Sequence, residues 1–521
     1  MTLNPQTVLI LSILLTCTNL RGVASTVESA KKPNIIIILA DDLSYQDVGA
    51  YGQQSIKTPH IDRLATSGVR FTQAYSASPV CASSRCSLLT GLHSGHSEIR
   101  DNGSIIGPLP LSESALTIVD LLKENGYQCG FIGKWGLGGV DTSGAPWNQG
   151  FNYSFGFLDQ LRAHTYYPEY LWENDQQIRY PTNERFDMNK RYATFLESGP
   201  VSFNEYDANG DLLLRELEDP RSGVHSQDSF DRALDTFIER SKETPFFIYY
   251  APQIPHGPLI VDHIPSHIQH EDWPLPNKEW AAMVERLDQS VGNIVEKLEG
   301  LELLDNTIIF FASDNGYSMS GYLNRGMSPH WPDDPIFKNK GPFKAGKDSL
   351  EEGGCRIPLI AYWGDHFKPQ VNAQVVWLPD LFATICDFAR IPHPPATDGI
   401  TLSEYLTGGA PEVERCLYFQ YKTEQAVRKG PFYAFKKNAV SPTELYHLGD
   451  DPLTAINLAE KCPEMITELE SVMKNAFIPS PYYWNPSETW QDYTRKKAEA
   501  ENTLQSYPSI KPNHVDKLPW E

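Results

Sequence analysis

Asn34 is followed by Ile35-Ile36-Ile37-Ile38-Leu39-Ala40, and the run stops abruptly at Asp41-Asp42. Consecutive β-branched residues disfavour a helix, and a run with no polar position has no solvent face. The segment therefore predicts a strand buried on both faces of a parallel sheet. Polar residues that close such a strand stand at its carboxyl end, where sheets of this kind bind ligands.

The same grammar recurs along the chain. A helical pattern through Ile61, Leu64 and Ala65 stops at Gly68, and Val69-Arg70-Phe71 follows. A helix around Leu116 to Leu122 precedes the strand pattern Cys129 to Gly133, which closes on Lys134-Trp135-Gly136. Pro245 to Ala251 is another strand, with His256 in its exit loop. A helix from Trp280 through Leu287 and Val291 to Leu298 leads into Thr307 to Ala312, which ends at Ser313-Asp314-Asn315-Gly316. Arg356 to Tyr362 follows a loop bearing Lys347. Strands alternating with helices predict an α/β fold, a large mainly parallel or mixed sheet sandwiched by helices.

Two stretches depart from that grammar. Residues 150–245 are aromatic and irregular, with Tyr166-Tyr167-Pro168-Glu169-Tyr170-Leu171-Trp172, and read as a loop-rich insertion that shapes a pocket. Residues 401–521 carry short alternating runs at Leu417, Ala426, Phe432 and Glu444, then a helix through Met465 and Met473. They predict a smaller C-terminal α+β subdomain with an antiparallel sheet, beside a main domain at 25–400.

The 66 acidic residues outnumber the 44 basic ones, and the net charge of -22 argues against nucleic acid and anionic membranes as partners. An anionic ligand remains open to it, because charges screened over about 8 Å let a few local cations govern a pocket. Thr7 to Leu15 is apolar but too short to span a bilayer, and Gly22-Val23-Ala24 offers a cleavage site. Residues 1–24 read as a signal peptide and the protein as exported, periplasmic or secreted; Leu14-Leu15-Thr16-Cys17 offers lipid anchoring at Cys17 as an alternative. No later run is long and apolar enough to be a transmembrane segment. The eight cysteines show no zinc spacing and no readable pairing.

Cys81-Ala82-Ser83-Ser84-Arg85-Cys86 reads as the first turns of a helix, with Arg85 one turn below Cys81. The arginine and the free N–H groups of a helix start both favour a thiolate. Asp41, Asp42, Asp314 and Asn315 supply only oxygen ligands, the set a hard cation takes, and three converging carboxylates would repel one another without one. Calcium suits such a site better than magnesium, whereas each pair taken alone could be a helix cap or a turn. Lys134, Lys347, Arg85 and His256 add the positive charge and proton supply needed to bind and split an oxyanion ester.

These segments together resemble the formylglycine-dependent sulfatases of the alkaline phosphatase superfamily. The resemblance is carried by Pro33 to Asp42, Thr58 to Ala65, Cys81 to Gly91, Gly133-Lys134-Trp135, Pro255-His256-Gly257-Pro258, Ser313 to Gly316, Gly346-Lys347 and Glu352 to Pro358. It implies an alkaline-phosphatase-like fold, with Cys81 oxidised by a formylglycine-generating maturation enzyme to an aldehyde whose hydrate attacks sulfur. Calcium would be held by Asp41, Asp42, Asp314 and Asn315 together with the modified residue 81. Lys134 and Lys347 would hold sulfate oxygens, with Arg85 beside the nucleophile, and His256 would protonate the leaving alcohol. The implied substrate is a sulfated sugar, a galactose or N-acetylgalactosamine sulfate in a polysaccharide, with the aromatic stretch stacking on its rings. Two positions depart from the family pattern: Ser83 replaces the proline of C-x-P-x-R, and Gly136 replaces the histidine of Lys-x-His. Some bacterial sulfatases share the Gly-Lys-Trp-Gly pattern, and His164, just before the aromatic segment, is expected to replace the missing base or to bind substrate. The alternatives are a phosphodiesterase or phosphonate hydrolase of the same superfamily, and an inactive binder of sulfated glycans.

Overall fold

The computed structural model describes residues 31–160, 162–185, 204–214, 222–318, 334–394, 396–409, 411 and 413–506. The signal-peptide expectation and Cys17 lie outside the described residues. Among them no helix is long and apolar enough to cross a membrane.

In chain order the main elements are β1 (Asn34–Ala40), α1 (Pro59–Ser67), β2 (Val69–Tyr75), α2 (Cys81–Thr90), α3 (Ile118–Glu124), β3 (Gln128–Lys134), β4 (Tyr153–Phe157), β5 (Tyr170–Glu173) and β6 (Gln176–Arg179). They continue with α4 (Ser226–Ser241), β7 (Phe246–Ala251), α5 (Leu275–Gly300), β8 (Thr307–Ser313), β9 (Arg356–Tyr362), β10 (Gln370–Trp377) and α6 (Asp380–Ala389). The last are β11 (Cys416–Tyr421), β12 (Glu424–Lys429), β13 (Phe432–Lys436), β14 (Glu444–His447), α7 (Pro463–Asn475) and α8 (Trp490–Ser506).

Ten strands form one sheet in the order β10-β2-β9-β8-β1-β7-β3-β4-β5-β6. β1 lies between β8 and β7, parallel to both, and every residue of it is buried. Its side chains alternate as a two-faced strand requires: Ile36 and Ile38 enter one apolar cluster, and Ile35, Ile37 and Leu39 enter the other. The first cluster takes its helical side from α1, α4 and α5 through Ile61, Phe230 and Trp280, and the second from α2, α3 and α6 through Leu88, Ile118 and Leu381. This is the expected sheet sandwiched by helices.

Only β5 and β9 run against the other strands of this sheet. The reversal of β9 matters for the site. An antiparallel strand begins at the edge where its neighbours end, so the loop that precedes β9 brings Lys347 to the edge that β1 and β8 close with Asp41, Asp42 and Asp314.

The expected C-terminal sheet is present as the antiparallel series β11-β12-β13-β14, with Leu469 and Met473 of α7 on one face. Its other face packs Leu417, Phe419 and Tyr433 against Tyr75, Val80, Leu350 and Trp377, under the approach to α2. The described part of 150–245 contains regular elements. β4, β5 and β6 extend the main sheet, and α4 covers it, with Phe230 and Phe237 in the first cluster.

Candidate active site

All ten residues of α2 are buried, and Cys81 opens it with 1% of its surface exposed. No side chain at the preceding Val80 caps the helix. The cap comes from Asn102, whose Oδ1 accepts the Ala82 N–H at 3.0 Å. At its far end the helix stops at Gly91, whose φ of +69° suits the N–H bond back to the Ser87 carbonyl.

The Cys81 thiol faces Asp41 Oδ1 at 3.4 Å and Asn315 Oδ1 at 3.6 Å, and Lys347 Nζ lies 3.5 Å from Sγ. The expected acidic thiol is not found: burial, then the charge of Asp314, pushes the Cys81 pKa up, against the pull of Lys134 and Lys347. The guanidinium of Arg85 spends its hydrogen bonds on other partners. Its Nε and Nη2 donate to Asp314 Oδ2 at 3.1 and 2.7 Å, and Nη1 donates to the Lys134 carbonyl at 2.7 Å.

Each acid has its own base. Lys134 Nζ reaches Asp41 Oδ2 at 2.6 Å, Lys347 Nζ reaches Asp42 Oδ1 at 2.7 Å and Oδ2 at 2.9 Å, and Arg85 holds Asp314. The repulsion for which the sequence invoked a divalent ion is therefore also met by three cations of the chain. Burial, then Asp41, still pushes the Asp314 carboxyl up to about 6, with Arg85 pulling the other way. Burial disfavours charge on Lys134, and Asp41 reverses this, so the ammonium is held above its ordinary value.

The oxygen donors fit a hard cation nonetheless. Asp41, Asp42, Asp314 and Asn315 are fully buried, Asp42 N–H donates to Asp314 Oδ1 at 3.2 Å, and Asn315 Nδ2 donates to Asp42 Oδ1 at 2.7 Å. Ligand atoms of Asp41, Asp42, Cys81 and His256 lie within 4.8 Å of one another. The four oxygen-bearing residues would hold the ion in the corner that the thiol faces.

His256 enters from the loop after β7. Its Nδ1 is 2.6 Å from the Gly257 carbonyl and so carries the proton of the neutral ring, leaving Nε2 to face Lys347 Nζ at 3.2 Å and Asp42 Oδ2 at 3.4 Å. Burial holds the His256 pKa well below its ordinary value, with Asp42 opposing and Lys347 reinforcing. His164 stacks on this ring, with centroids 4.4 Å apart and planes 14° from parallel. Its own pKa is well lowered by burial, then by the neighbouring His256 ring, which resists a second proton in the stack, and by the positive charge of Lys134 and Lys347.

The aromatic segment places His164. Tyr166 OH donates to the carbonyls of Gln253 and His256, and Gln253 Nε2 donates to the Ala163 carbonyl at 2.8 Å, so two loops are tied on either side of the stack. Every site residue expected from sequence is brought to this edge. Tyr166 belongs to the aromatic stretch expected to shape a pocket; Asn102 and Gln253 are added, and nothing in their local sequence signals a part in it.

A buried residue at a helix start, acids at two strand ends, lysines on both sides and a proton-bearing imidazole together define a hydrolase of oxyanion esters on an α/β sheet. Residues 33–391 match the Sulfatase family model, and the chain belongs to that family; it is a sulfatase. It is 30% identical over 412 residues to human N-acetylgalactosamine-6-sulfatase, covering 76% of this chain and 70% of the human one. It is 28% identical over 503 residues to the N-acetylgalactosamine-6-O-sulfatase of Bacteroides thetaiotaomicron, covering 86% and 94%. Among solved structures, Ps i-CgsB in complex with k-i-k-neocarrahexaose superposes with a TM-score of 0.69 at 26% identity, covering 92% of this chain and all of that one.

Proposed function

We propose that this sulfatase removes sulfate from a galactose or N-acetylgalactosamine unit of a sulfated polysaccharide, with a formylglycine made from Cys81 and a calcium ion at Asp41, Asp42, Asp314 and Asn315. The observation that carries the reading is the Cys81 Sγ position, within 3.6 Å of Asp41 Oδ1, Asn315 Oδ1 and Lys347 Nζ. A high-pKa thiol in that place is a poor nucleophile, which supports its role as a precursor. A formylglycine would supply a hydrated aldehyde as nucleophile, and calcium would lower the pKa of that hydrate and polarise a sulfate oxygen. The names of the N-acetylgalactosamine-6-sulfatase relatives and of the neocarrahexaose complex support a galactose-type sugar.

Lys134 and Lys347 hold sulfate oxygens as point charges, each exchanging a carboxylate partner for the substrate. Arg85, with three short bonds to Asp314 and the Lys134 carbonyl, keeps β3, β8 and α2 in register beneath them. His256 presents an unprotonated Nε2 to the pocket, 3.2 Å from Lys347 Nζ, and acts on the departing alcohol by passing on a proton taken up at that nitrogen from the ammonium. His164 shares that work: two stacked imidazoles resist carrying two positive charges, so a proton on one ring keeps the other neutral and ready to accept. The chain is exported and is matured by a formylglycine-generating enzyme that accepts Ser83 in place of proline.

Mass analysis of the Cys81 peptide from protein made in its native host tests the modification, and an unmodified thiol throughout refutes it. Turnover of an aryl sulfate well above that of an aryl phosphate diester or phosphonate supports the substrate class. The reverse order makes the chain a phosphodiesterase or phosphonate hydrolase, and a modified residue 81 with no turnover of any sulfated galactoside makes it a binder.

A further inference from the structure

Gly136 stands where the Lys-x-His pattern carries its histidine, and its surroundings explain the glycine. Its φ is +77°, and a Cβ placed on it would lie 2.0 Å from Gln160 Nε2 and 2.6 Å from Gln160 Cδ. The space of a side chain at position 136 is already filled by a carboxamide from the loop that follows β4. Gln160 comes there because β4 runs parallel beside β3: Trp135 N–H donates to the Phe157 carbonyl at 2.9 Å, and Gly136 N–H to the Leu158 carbonyl at 3.1 Å. The chain then turns, with Ala163 N–H bonded to the Asp159 carbonyl at 3.3 Å, and delivers His164 onto His256. Gln160 thus sits on a short loop with one end against Gly136, two residues beyond Lys134, and the other against the imidazole of the site.

Its Nε2 is shielded from solvent and makes no hydrogen bond among the described residues. A shielded N–H2 without an acceptor costs free energy, and a bound ligand is one of the partners that can relieve it. We propose that Gln160 is a substrate-binding residue, its carboxamide filling the place of the missing histidine and donating a hydrogen bond to an oxygen of the bound sulfate group. The proposal rests on the reading that sulfate is held beside Lys134. A carboxamide donates but takes up no proton at neutral pH, so Gln160 adds affinity for the sulfate group while proton transfer stays with the imidazoles. Glycine is required at 136 because any larger residue displaces the carboxamide.

Binding of inorganic sulfate, by calorimetry and as competitive inhibition of aryl sulfate turnover, is compared in wild type, Gln160→Leu, Gln160→Glu and Lys134→Ala. Gln160→Leu is expected to weaken sulfate binding about tenfold, as loss of a hydrogen bond to an ion does. Gln160→Glu is expected to weaken it further, since a carboxylate then faces the anion, with melting temperatures of both variants close to wild type. Should both Gln160 variants bind sulfate as tightly as wild type while Lys134→Ala loses it, the Gln160 assignment is overturned and the lysine pocket stands. Should Lys134→Ala also bind sulfate normally, it is the pocket reading that fails. A loss confined to sulfated sugars, with inorganic sulfate unaffected, likewise overturns the assignment.

Discussion

Asp41, Asp42 and Asp314 are each completed by a different base, and the way each pair is made decides what the base can do in turnover. Arg85 spreads three bonds over Asp314 and a backbone carbonyl, a planar fork fixed in place, whereas Lys134 and Lys347 are single ammonium groups able to move to a new oxygen. Lys347→Ala is accordingly expected to raise KM for an aryl sulfate by about tenfold or more, the loss of one charge-assisted contact, and an unchanged KM would remove it from the sulfate site. His164→Ala is expected to lower kcat by about 100-fold with a smaller change in KM, because a proton-transfer partner contributes on that scale. Full turnover by that variant would return His164 to the role of a packed ring. The acids and Lys134 were legible in sequence because each closes an apolar run, and Cys81 because it opens a helical segment with Arg85 one turn below it. The acidity of the thiol was misjudged because a helix start and a nearby arginine can be read from sequence, but complete burial beside Asp314 cannot. Asn102 and Gln160 were silent for a related reason: each acts on a backbone segment 20 or more residues away, and the meeting is set by how strands and loops pair.

The central strands β1, β3, β7 and β8 were predicted closely, since burial on both faces leaves an unbroken apolar run. Edge strands leave no such trace. β10 reads Gln-Val-Asn-Ala-Gln-Val-Val-Trp with mixed burial, and β6 is mostly exposed, so neither announces itself. Strand direction was also hidden, although the reversal of β9 is what delivers Lys347. The loop carrying that lysine is braced by the C-terminal sheet: Glu424, opening β12, accepts the Leu350 N–H at 3.1 Å. Burial, then the charge of Glu351, raises the Glu424 carboxyl to about 7 against the pull of the Leu350 N–H. A folded-state pKa above the unfolded one means the fold prefers the protonated acid. Its stabilisation is complete below about 4.5 and is lost as pH rises through about 7. Glu424→Gln keeps an acceptor for Leu350 and cannot ionise, so the fall of melting temperature with pH across that window is expected to be shallower in the variant. Parallel melting curves for the two proteins from pH 4 to 8 would contradict it.

At the scale of the molecule, the site lies where the two apolar clusters, the helices of both sheet faces and the C-terminal sheet converge, so catalytic charge and fold stability share the same residues. Two sources of positive charge serve the three buried acids: the chain's own Lys134, Lys347 and Arg85, and the proposed calcium ion. The three pairs are complete without an ion, which leads to an asymmetric expectation for metal removal. Chelation should abolish turnover, restored by calcium, while lowering the melting temperature by only a few degrees, because no carboxylate is left without a base. Arg85→Leu should reverse that balance. It strips Asp314 of its only direct basic partner within hydrogen-bond distance among the described residues, and breaking a buried pair from one side costs about 3 kcal/mol or more. The ion then becomes the main compensation for that charge, so the variant's melting temperature should depend strongly on calcium where the wild type's depends weakly. Protonation offers Asp314 a second escape, and with its carboxyl already near 6 in the paired state, the calcium dependence should fade as pH is lowered. Calorimetry of both proteins, with and without chelator at pH 5 and pH 8, measures each part. An equal response of the two proteins to calcium would show that the arginine and the ion do not share the neutralisation of Asp314.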